Sequence, residues 1–541
     1  MKKPFLYMVL AGVLSGYAAF ASGQAHSNAV APVPELETPA ATSGLGSVPA
    51  ELMLPMPSWF ENGRPGEDAR AALATLADAQ DQGLRPQDYR AVELAQAFEQ
   101  ASRSNSDPQS LAHLDAELTH ALERYLTELN QGRLTPEQLK HDFKAPSLNR
   151  FDARAYVLRA RQEGRLAQAL QSAQPKVPMY ESVRSAMNTY RAMGDHRAWR
   201  TPLAPLPGRS LKSGQPYQGL AVLAARLEAV GDLPAGVVAA DHYDSVLEEG
   251  VRRFQARHGL DVDGVVGPGT VAQLEITPAQ RVEQMALTLE RLRWTPLMHA
   301  PRMIVVNVPE FMLRAYELHE GQVKLDLEMR VVVGRALDTR TPIFLEDMRF
   351  IEFSPYWNVP RSIARAETLP RLRRDPGYFT RQGFEFVTRE GTVVNTLSGD
   401  AIDAVQRGEW RIRQRPGPRN ALGDIKFIFP NDQNIFLHHT PAPELFSRAR
   451  RDFSHGCIRV EAPVQLAQFV LRNQPEWTTQ RIEAAMQGGK SYTLRLAQTI
   501  PVLIAYSTVV VKDSGTVYFF PDIYQQDARL EQALHSARRA P

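Results

Sequence analysis

The chain has a single cysteine, Cys457, in the run Phe453-Ser454-His455-Gly456-Cys457-Ile458-Arg459-Val460, and His438 stands 19 residues before it with His439 beside it. A lone thiol cannot close an intrachain disulfide, so it is filler, a metal ligand or a nucleophile. A free cysteine titrates near 8.5 and is mostly protonated at neutral pH, so a nucleophilic thiol needs a base. An imidazole can take that proton, provided a carbonyl or carboxylate on its other nitrogen holds it in one tautomer. Acyl chemistry also needs donors for an oxyanion, and the simplest are backbone N–H groups in a tight turn. Gly456, just before Cys457, lets such a turn approach a substrate closely.

Three readings of these residues compete. A zinc site would draw on His438, His439, His455 and Cys457, but adjacent strand residues point to opposite faces, which separates His438 from His439. No Cys-x-x-Cys or His-Glu-x-x-His spacing supports zinc either, so no metal is expected. The second reading is structural, with buried histidines and a core cysteine. The third is nucleophilic catalysis by Cys457 with a histidine base.

Behind these residues the chain must supply a rigid frame. Asn434-Ile435-Phe436-Leu437 reads as a strand that delivers His438, and Met303–Val308, Met312–Tyr316, Arg330–Val333 and Arg349–Phe353 read as further strands. A mainly β domain is therefore expected over 301–496, interrupted at about 357–425 by an insertion punctuated with Pro and Gly. From Arg361 to Arg419 there are 12 arginines against 7 acidic residues, an excess of 5 positive charges. That is either a solvated basic face or a grip for carboxylates.

Upstream, residues 55–210 carry a helical pattern. Ala71, Leu73, Leu76, Ala77 and Ala79 mark one amphipathic stretch, and Leu118, Leu122, Tyr125 and Leu129 mark another that ends at Gly132. Over 211–277 the spacing of Leu220, Leu223, Leu227 and Val230 predicts one short helix. Val246, Val251 and Phe254 predict a second, and Gly267-Pro268 starts a third at Thr270. A connecting helix is expected at 278–300, and a C-terminal extension at 497–541 packs on the scaffold or the catalytic domain. Residues 22–54 read as a flexible linker. Lys2 and Lys3, the apolar run Phe5–Ala21 and the Ala19-Phe20-Ala21 pattern read as an export signal over 1–21, and so point to the periplasm. An uncleaved membrane anchor is the alternative. The net charge of +2 gives no general pull towards nucleic acid.

Taken together, these motifs resemble those of L,D-transpeptidases, the YkuD-like catalytic domain. The resemblance rests on His438 followed by Ser454-His455-Gly456-Cys457-Ile458-Arg459. Supporting runs are Leu289–Trp294, Val306-Asn307-Val308-Pro309, Trp357-Asn358-Val359-Pro360, Asp375-Pro376-Gly377-Tyr378 and Leu437-His438-His439-Thr440-Pro441. Within that family the chain is similar to the large periplasmic Gram-negative type. The segment from Val251 through Gly267-Pro268-Gly269-Thr270 resembles the small three-helix peptidoglycan-binding domain. The implied architecture is multidomain α+β: a helical scaffold, a three-helix binding module and a mainly β catalytic domain.

The resemblance also implies roles. Cys457 would be the nucleophile, His438 the base, and the backbone carbonyl of His439 its orienting acceptor. His455, Gly456 and Cys457 would lend amides to the oxyanion hole. Ser454, Arg459 and Trp357 would either shape the substrate pocket or brace the fold. Large family members often carry an acidic residue where His439 stands. The implied reaction is attack on a tetrapeptide stem, loss of D-alanine, a thioester on Cys457 and transfer to a diamino-acid amine, giving a 3→3 cross-link. Water or a lipoprotein lysine could replace that amine, and a non-catalytic wall-binding protein is the alternative of another class. Peptidoglycan stem peptides and glycan strands would be the ligands, cell-wall synthesis proteins the partners, and no cofactor is needed. Family members accept carbapenems as acylating agents.

Overall fold

The computed structural model describes residues 58–103, 107–139, 151–237, 241–295, 300–336 and 339–539. The signal and linker expected over 1–21 and 22–54 lie outside the described residues.

The frame of the catalytic region is a sheet of nine strands: β1 (Arg302–Asn307), β2 (Met312–His319), β3 (Gln322–Gly334), β4 (Phe344–Phe353), β5 (Ile425–Ile428), β6 (Leu437–His438), β7 (Asp452–Ser454), β8 (Ile458–Val460) and β9 (Tyr492–Ala505). Their spatial order is β7-β3-β8-β6-β5-β4-β9-β1-β2, and β2 also pairs with β3, so the circuit closes on itself. Closure sets each of the eight strands from β3 round to β2 between two neighbours, while β7 pairs with β3 alone outside the circuit. Ile304, Val306, Leu313, Val331, Ile351, Phe427, Leu437, Ile458 and Val502 are among the fully buried residues of the core that this circuit wraps.

Four of the expected strands are present, two of them beginning well before the expected start: β3 starts at Gln322 and β4 at Phe344. The strand expected over Asn434–Leu437 is corrected to Leu437–His438, because Asn434 takes a left-handed φ of 56° and the chain becomes extended only after it. One expected boundary is corrected. Residue 496 falls inside β9, which pairs antiparallel with β4 and parallel with β1. The exposed run Ala497-Gln498-Thr499 reads as a break, yet it is an irregularity in one strand, where the register with β4 shifts between Arg495 and Ile500.

The insertion between β4 and β5 has a core of its own. Its four-stranded sheet runs Trp357–Asn358, Arg411–Gln414, Phe384–Val387, Val393–Val394 in spatial order. Leu369, Leu372, Phe379, Phe384, Phe386, Ile402 and Ile412 fill that core. Several arginines here serve the insertion itself. Arg373 pairs with Asp403, Arg381 with Asp375, Arg407 with Glu409 and Arg413 with Glu385. Arg361 and Arg365 donate to the Gly408 and Gln406 carbonyls, at the C-terminal end of the helix Gly399–Arg407. Local pairing therefore accounts for much of the positive charge that suggested a carboxylate grip.

The helical region packs six α-helices between Glu67 and Met193 around Leu76, Phe98, Leu122, Leu126, Tyr180 and Met187. In the helix Glu67–Ala77 the buried stripe is Ala69, Ala72 and Leu76, at the three-then-four spacing of a core face; Ala77 is exposed. Leu118, Leu122, Tyr125 and Leu129 share the buried face of Pro108–Gln131, which stops at Gly132 with φ 82°. In the small module, Leu247 takes the buried position expected of Val246, which is exposed. Its last helix begins at Pro268 with Gly267 as N-cap, two residues earlier than expected. The connecting helix Pro278–Trp294 opens with a Thr277/Gln280 capping box and buries Met285, Leu289 and Leu292 against the scaffold core. Beyond β9, the hairpin Val509–Val511/Val517–Phe519 joins that same core through Val509 and Phe519.

Candidate functional site

The site is built on two short parallel strands and the turn that enters one of them. β6 and β8 pair with Leu437 opposite Ile458 and His438 opposite Arg459. That register puts Cys457, the last residue before β8, beside Phe436, whose carbonyl accepts the Ile458 N–H at 3.1 Å. The pairing thus sets the segments that carry His438 and Cys457, 19 residues apart, on neighbouring strands.

The turn itself requires its glycine. Gly456 has φ +115°, a region closed to most side chains. Ser454, 2% exposed, donates its hydroxyl proton to the Cys457 carbonyl and accepts the Gly456 N–H at 3.1 Å. One open reading is decided here and one expectation is corrected. The Ser454 hydroxyl is fully engaged in holding the turn rather than facing a substrate. The Gly456 amide is already satisfied by Ser454, so it is not a free oxyanion donor. The amides of His455 and Cys457 carry no such bond.

His438 is 4% exposed, and its Nδ1–H donates to the His439 carbonyl at 2.6 Å. That bond assigns the proton to Nδ1 and leaves Nε2 with the lone pair. The half-buried Cys457 thiol donates to the Asn434 carbonyl at 3.6 Å, and among the described residues no hydrogen bond joins it to the His438 ring. Asn434 has φ 56°, a conformation asparagine tolerates better than other side chains.

Electrostatics keep both groups neutral. Burial pushes the Cys457 thiol up to about 11, and the Phe436 amide, Lys426 and Arg459 offset only part of that rise. Burial, with Arg459 second, pushes the His438 imidazole down to about 3. The resting state is thiol plus imidazole rather than thiolate plus imidazolium. Such a pair acts when a bound carbonyl and its oxyanion donors offset the charge separation, so proton transfer accompanies attack.

The other expected residues divide between pocket and frame. Arg459 is half-buried beside Cys457 and His438, and its Nε is buried with no hydrogen-bond partner among the described residues. Burial, with Arg335 second, depresses its own pKa, as for a cation lacking a counter-ion. Of the expected substrate contacts, Arg459 alone is a half-buried cation with no ion pair among the described residues. Trp357 packs against the core of the insertion, on a strand paired with Gln414. It is a framework residue of the insertion. The His455 Nε2–H donates to Glu367 at 2.7 Å, which ties the insertion to the Gly456 turn. Glu367 lies in a π-helical turn, Ala364–Thr368, a distortion frequent at functional sites.

Sequence reasoning missed the partners of these residues. The side chain of His439 donates to Asp424 at 2.8 Å. Gly423 lies so close that an added Cβ would come within 2.7 Å of His439 Cβ and 2.8 Å of its carbonyl carbon. Together these two residues clamp the peptide whose carbonyl orients His438. The Gly423-Asp424 pair was readable as a turn, but nothing local assigned it a partner.

Comparison with known proteins gives the site its context. Residues 301–489 match the family model described as "L,D-transpeptidase catalytic domain", residues 218–274 the "Putative peptidoglycan binding domain" and residues 55–187 the "Scaffold domain". A curated relative from Haemophilus influenzae, named "Putative L,D-transpeptidase", is 33% identical over 251 residues, which is 46% of this chain and 49% of the relative. The matched stretch spans about half the length of that relative. Among solved structures, an L,D-transpeptidase from Xylanimonas cellulosilytica is 14% identical, covers 56% of this chain and 100% of that one, and has a TM-score of 0.16. A fused Zn-dependent amidase/peptidase/peptidoglycan-binding domain-containing protein from Clostridium acetobutylicum is also 14% identical, with coverage of 55% and 99% and a TM-score of 0.16. Likeness at that score says nothing further about this chain.

Proposed function

We propose that this chain, which carries an L,D-transpeptidase catalytic domain and a peptidoglycan-binding domain, is a peptidoglycan L,D-transpeptidase that works through a thioester on Cys457. The observation that carries the reading is the arrangement of β6 and β8 within residues 301–489. It sets a half-buried thiol beside a buried imidazole whose Nδ1 is fixed by the His439 carbonyl.

In the first step Cys457 Sγ bonds to the carbonyl carbon before the terminal D-alanine of a tetrapeptide stem. The thiol proton passes to His438 Nε2 and then to the departing amine, the C–N bond breaks and D-alanine leaves. In the second step the amine of a diamino acid on another stem attacks the thioester. His438 takes a proton from that amine, the C–S bond breaks and the thiol is restored. Arg459, half-buried beside the thiol, would pair with a stem carboxylate through the terminal nitrogens of its guanidinium. The binding module would hold the glycan polymer near the site, and the signal-like N-terminus fits a substrate outside the inner membrane.

The test is incubation of the mature protein with purified disaccharide-tetrapeptide, followed by mass spectrometry, beside Cys457→Ala. Dimers lacking one D-alanine per bond are expected from the wild type and none from the variant. Tripeptide as sole product would move the assignment to an L,D-carboxypeptidase. Products unchanged in Cys457→Ala would remove the nucleophile. A lipoprotein lysine as acceptor would show as a peptide-linked protein in the same assay with lipoprotein added.

A further inference from the structure

The catalytic turn is held from behind by the residues that follow β3. The Arg335 N–H and the Thr339 hydroxyl both donate to the Ser454 carbonyl, at 3.0 and 3.1 Å. The Thr341 hydroxyl donates to the Gly456 carbonyl at 2.7 Å and accepts the Gly334 N–H at 2.9 Å. The Thr341 N–H donates to the Tyr524 hydroxyl at 3.2 Å, and that hydroxyl donates to the Gly334 carbonyl at 2.6 Å. Thr341 and Tyr524 are each 1% exposed. A Cβ on Gly334 would lie 2.0 Å from the Thr339 carbonyl oxygen, so the chain here doubles back tightly on the strand end.

These bonds have a directional consequence. In a trans peptide the carbonyl of one residue and the N–H of the next point in opposite directions. Anchoring the Ser454 carbonyl therefore turns the His455 N–H away from this segment. Anchoring the Gly456 carbonyl does the same to the Cys457 N–H. The amide between them, Gly456, is taken by Ser454. Among the described residues neither the His455 nor the Cys457 amide has an acceptor within the protein. Two backbone donors without a protein acceptor among the described residues thus flank the thiol, free to donate to a bound carbonyl oxygen.

We infer that Thr341, itself held by Tyr524, is a positioning residue for an oxyanion hole formed by the His455 and Cys457 amides. The inference rests on the acyl-transfer reading above and adds the device that aims its donors. When Sγ adds to a carbonyl carbon, the π electron pair moves onto oxygen, and the two amides hydrogen-bond that charge. The C-terminal segment, remote in sequence, is thereby coupled to the chemistry through Tyr524.

Two reagents separate this role from a merely structural one. Acylation of the full chain by meropenem passes through a tetrahedral oxyanion, whereas alkylation by iodoacetamide is a displacement at carbon with no oxyanion. Loss of one oxyanion donor costs about 10²–10³-fold in rate, so a donor mis-aimed by Thr341→Val is expected to slow acylation by roughly 10–100-fold. Alkylation should stay within about twofold, because the thiol is untouched. Thr341→Ser, which keeps the hydroxyl, should restore most of the acylation rate. Tyr524→Phe should slow acylation by a smaller factor and again spare alkylation, and it decides the matter if thermal unfolding shows that Thr341→Val does not fold. Acylation of the folded variant that selected position at the wild-type rate overturns the inference, as does a parallel loss of acylation and alkylation. A meropenem adduct that persists in Cys457→Ala overturns the acyl-transfer reading itself, and this inference with it.

Discussion

Two seams of the molecule are held by charged groups in opposite ways. At the junction of the connecting helix with the scaffold, Glu290 is fully buried. It accepts from the Arg293 guanidinium at 2.8 Å, the Arg133 side chain at 3.1 Å and the Leu134 amide at 3.4 Å. On the same helix Arg291 pairs with Asp527 of the C-terminal helix Gln526–Arg539. Where the insertion meets the catalytic turn, one pair, Glu367–His455, joins two cores, and its side chains are 53% and 30% exposed. A buried charge is tolerable only when fully partnered, and removing one partner is severe. An exposed pair contributes little and can be remade at small cost. The first seam should therefore be costly to part and the second cheap, a closed seam against an opening one.

The largest expected effect tests the closed seam. Glu290→Gln leaves Arg133 and Arg293 without their counter-charge, and the loss should be about 3–5 kcal/mol. Denaturant unfolding of the full chain should show it as a lower midpoint. A change under 1 kcal/mol would mean that the seam is held by its apolar contacts alone.

Acid should sharpen the contrast next, because His438 is buried as deeply as a core residue but has no carboxylate partner. Its folded-state pKa, depressed to about 3, lies below the unfolded value near 6.5. Between those values the unfolded chain binds a proton that the folded chain does not, so stability falls as pH drops from about 6.5 through about 3. The shift corresponds to a loss on the order of 3–5 kcal/mol. Stability measured across that range for wild type and His438→Gln should converge at low pH. Parallel curves would show that the imidazole is not shielded as its burial implies.

The sequence made some of this legible and hid the rest for a physical reason. The Gly456 turn and the alternating strands of the sheet are local patterns, so residue type and spacing reveal them, while the strand into His438 is only Leu437–His438. The partners that set the chemistry are not local. Glu367 is 88 residues from His455, Thr341 is 115 from Gly456, and Tyr524 is 183 from Thr341. Each is an ordinary polar residue until the sheet closes. The role of Ser454 stayed open for a related reason: a motif marks a position as needed without saying whether it faces the substrate or the turn. The boundary expected at 496 fell inside β9 because nothing local in sequence tells a register shift within a long strand from a strand end.

The smallest expected effect bears on the opening seam. Glu367→Ala removes a pair worth about 0.2–1 kcal/mol, so thermal stability should barely move. The same energy changes an opening equilibrium by at most about fivefold. Amide exchange in residues 361–374 should therefore quicken by roughly one- to fivefold, while exchange in β3 and β9 stays as it was. The Thr341 bond to the Gly456 carbonyl holds the turn independently of the insertion, so iodoacetamide alkylation of Cys457 should slow no more than twofold. If Glu367→Ala instead lowered stability as much as Glu290→Gln, the insertion would be welded to the sheet, and the distinction between the two seams would fall.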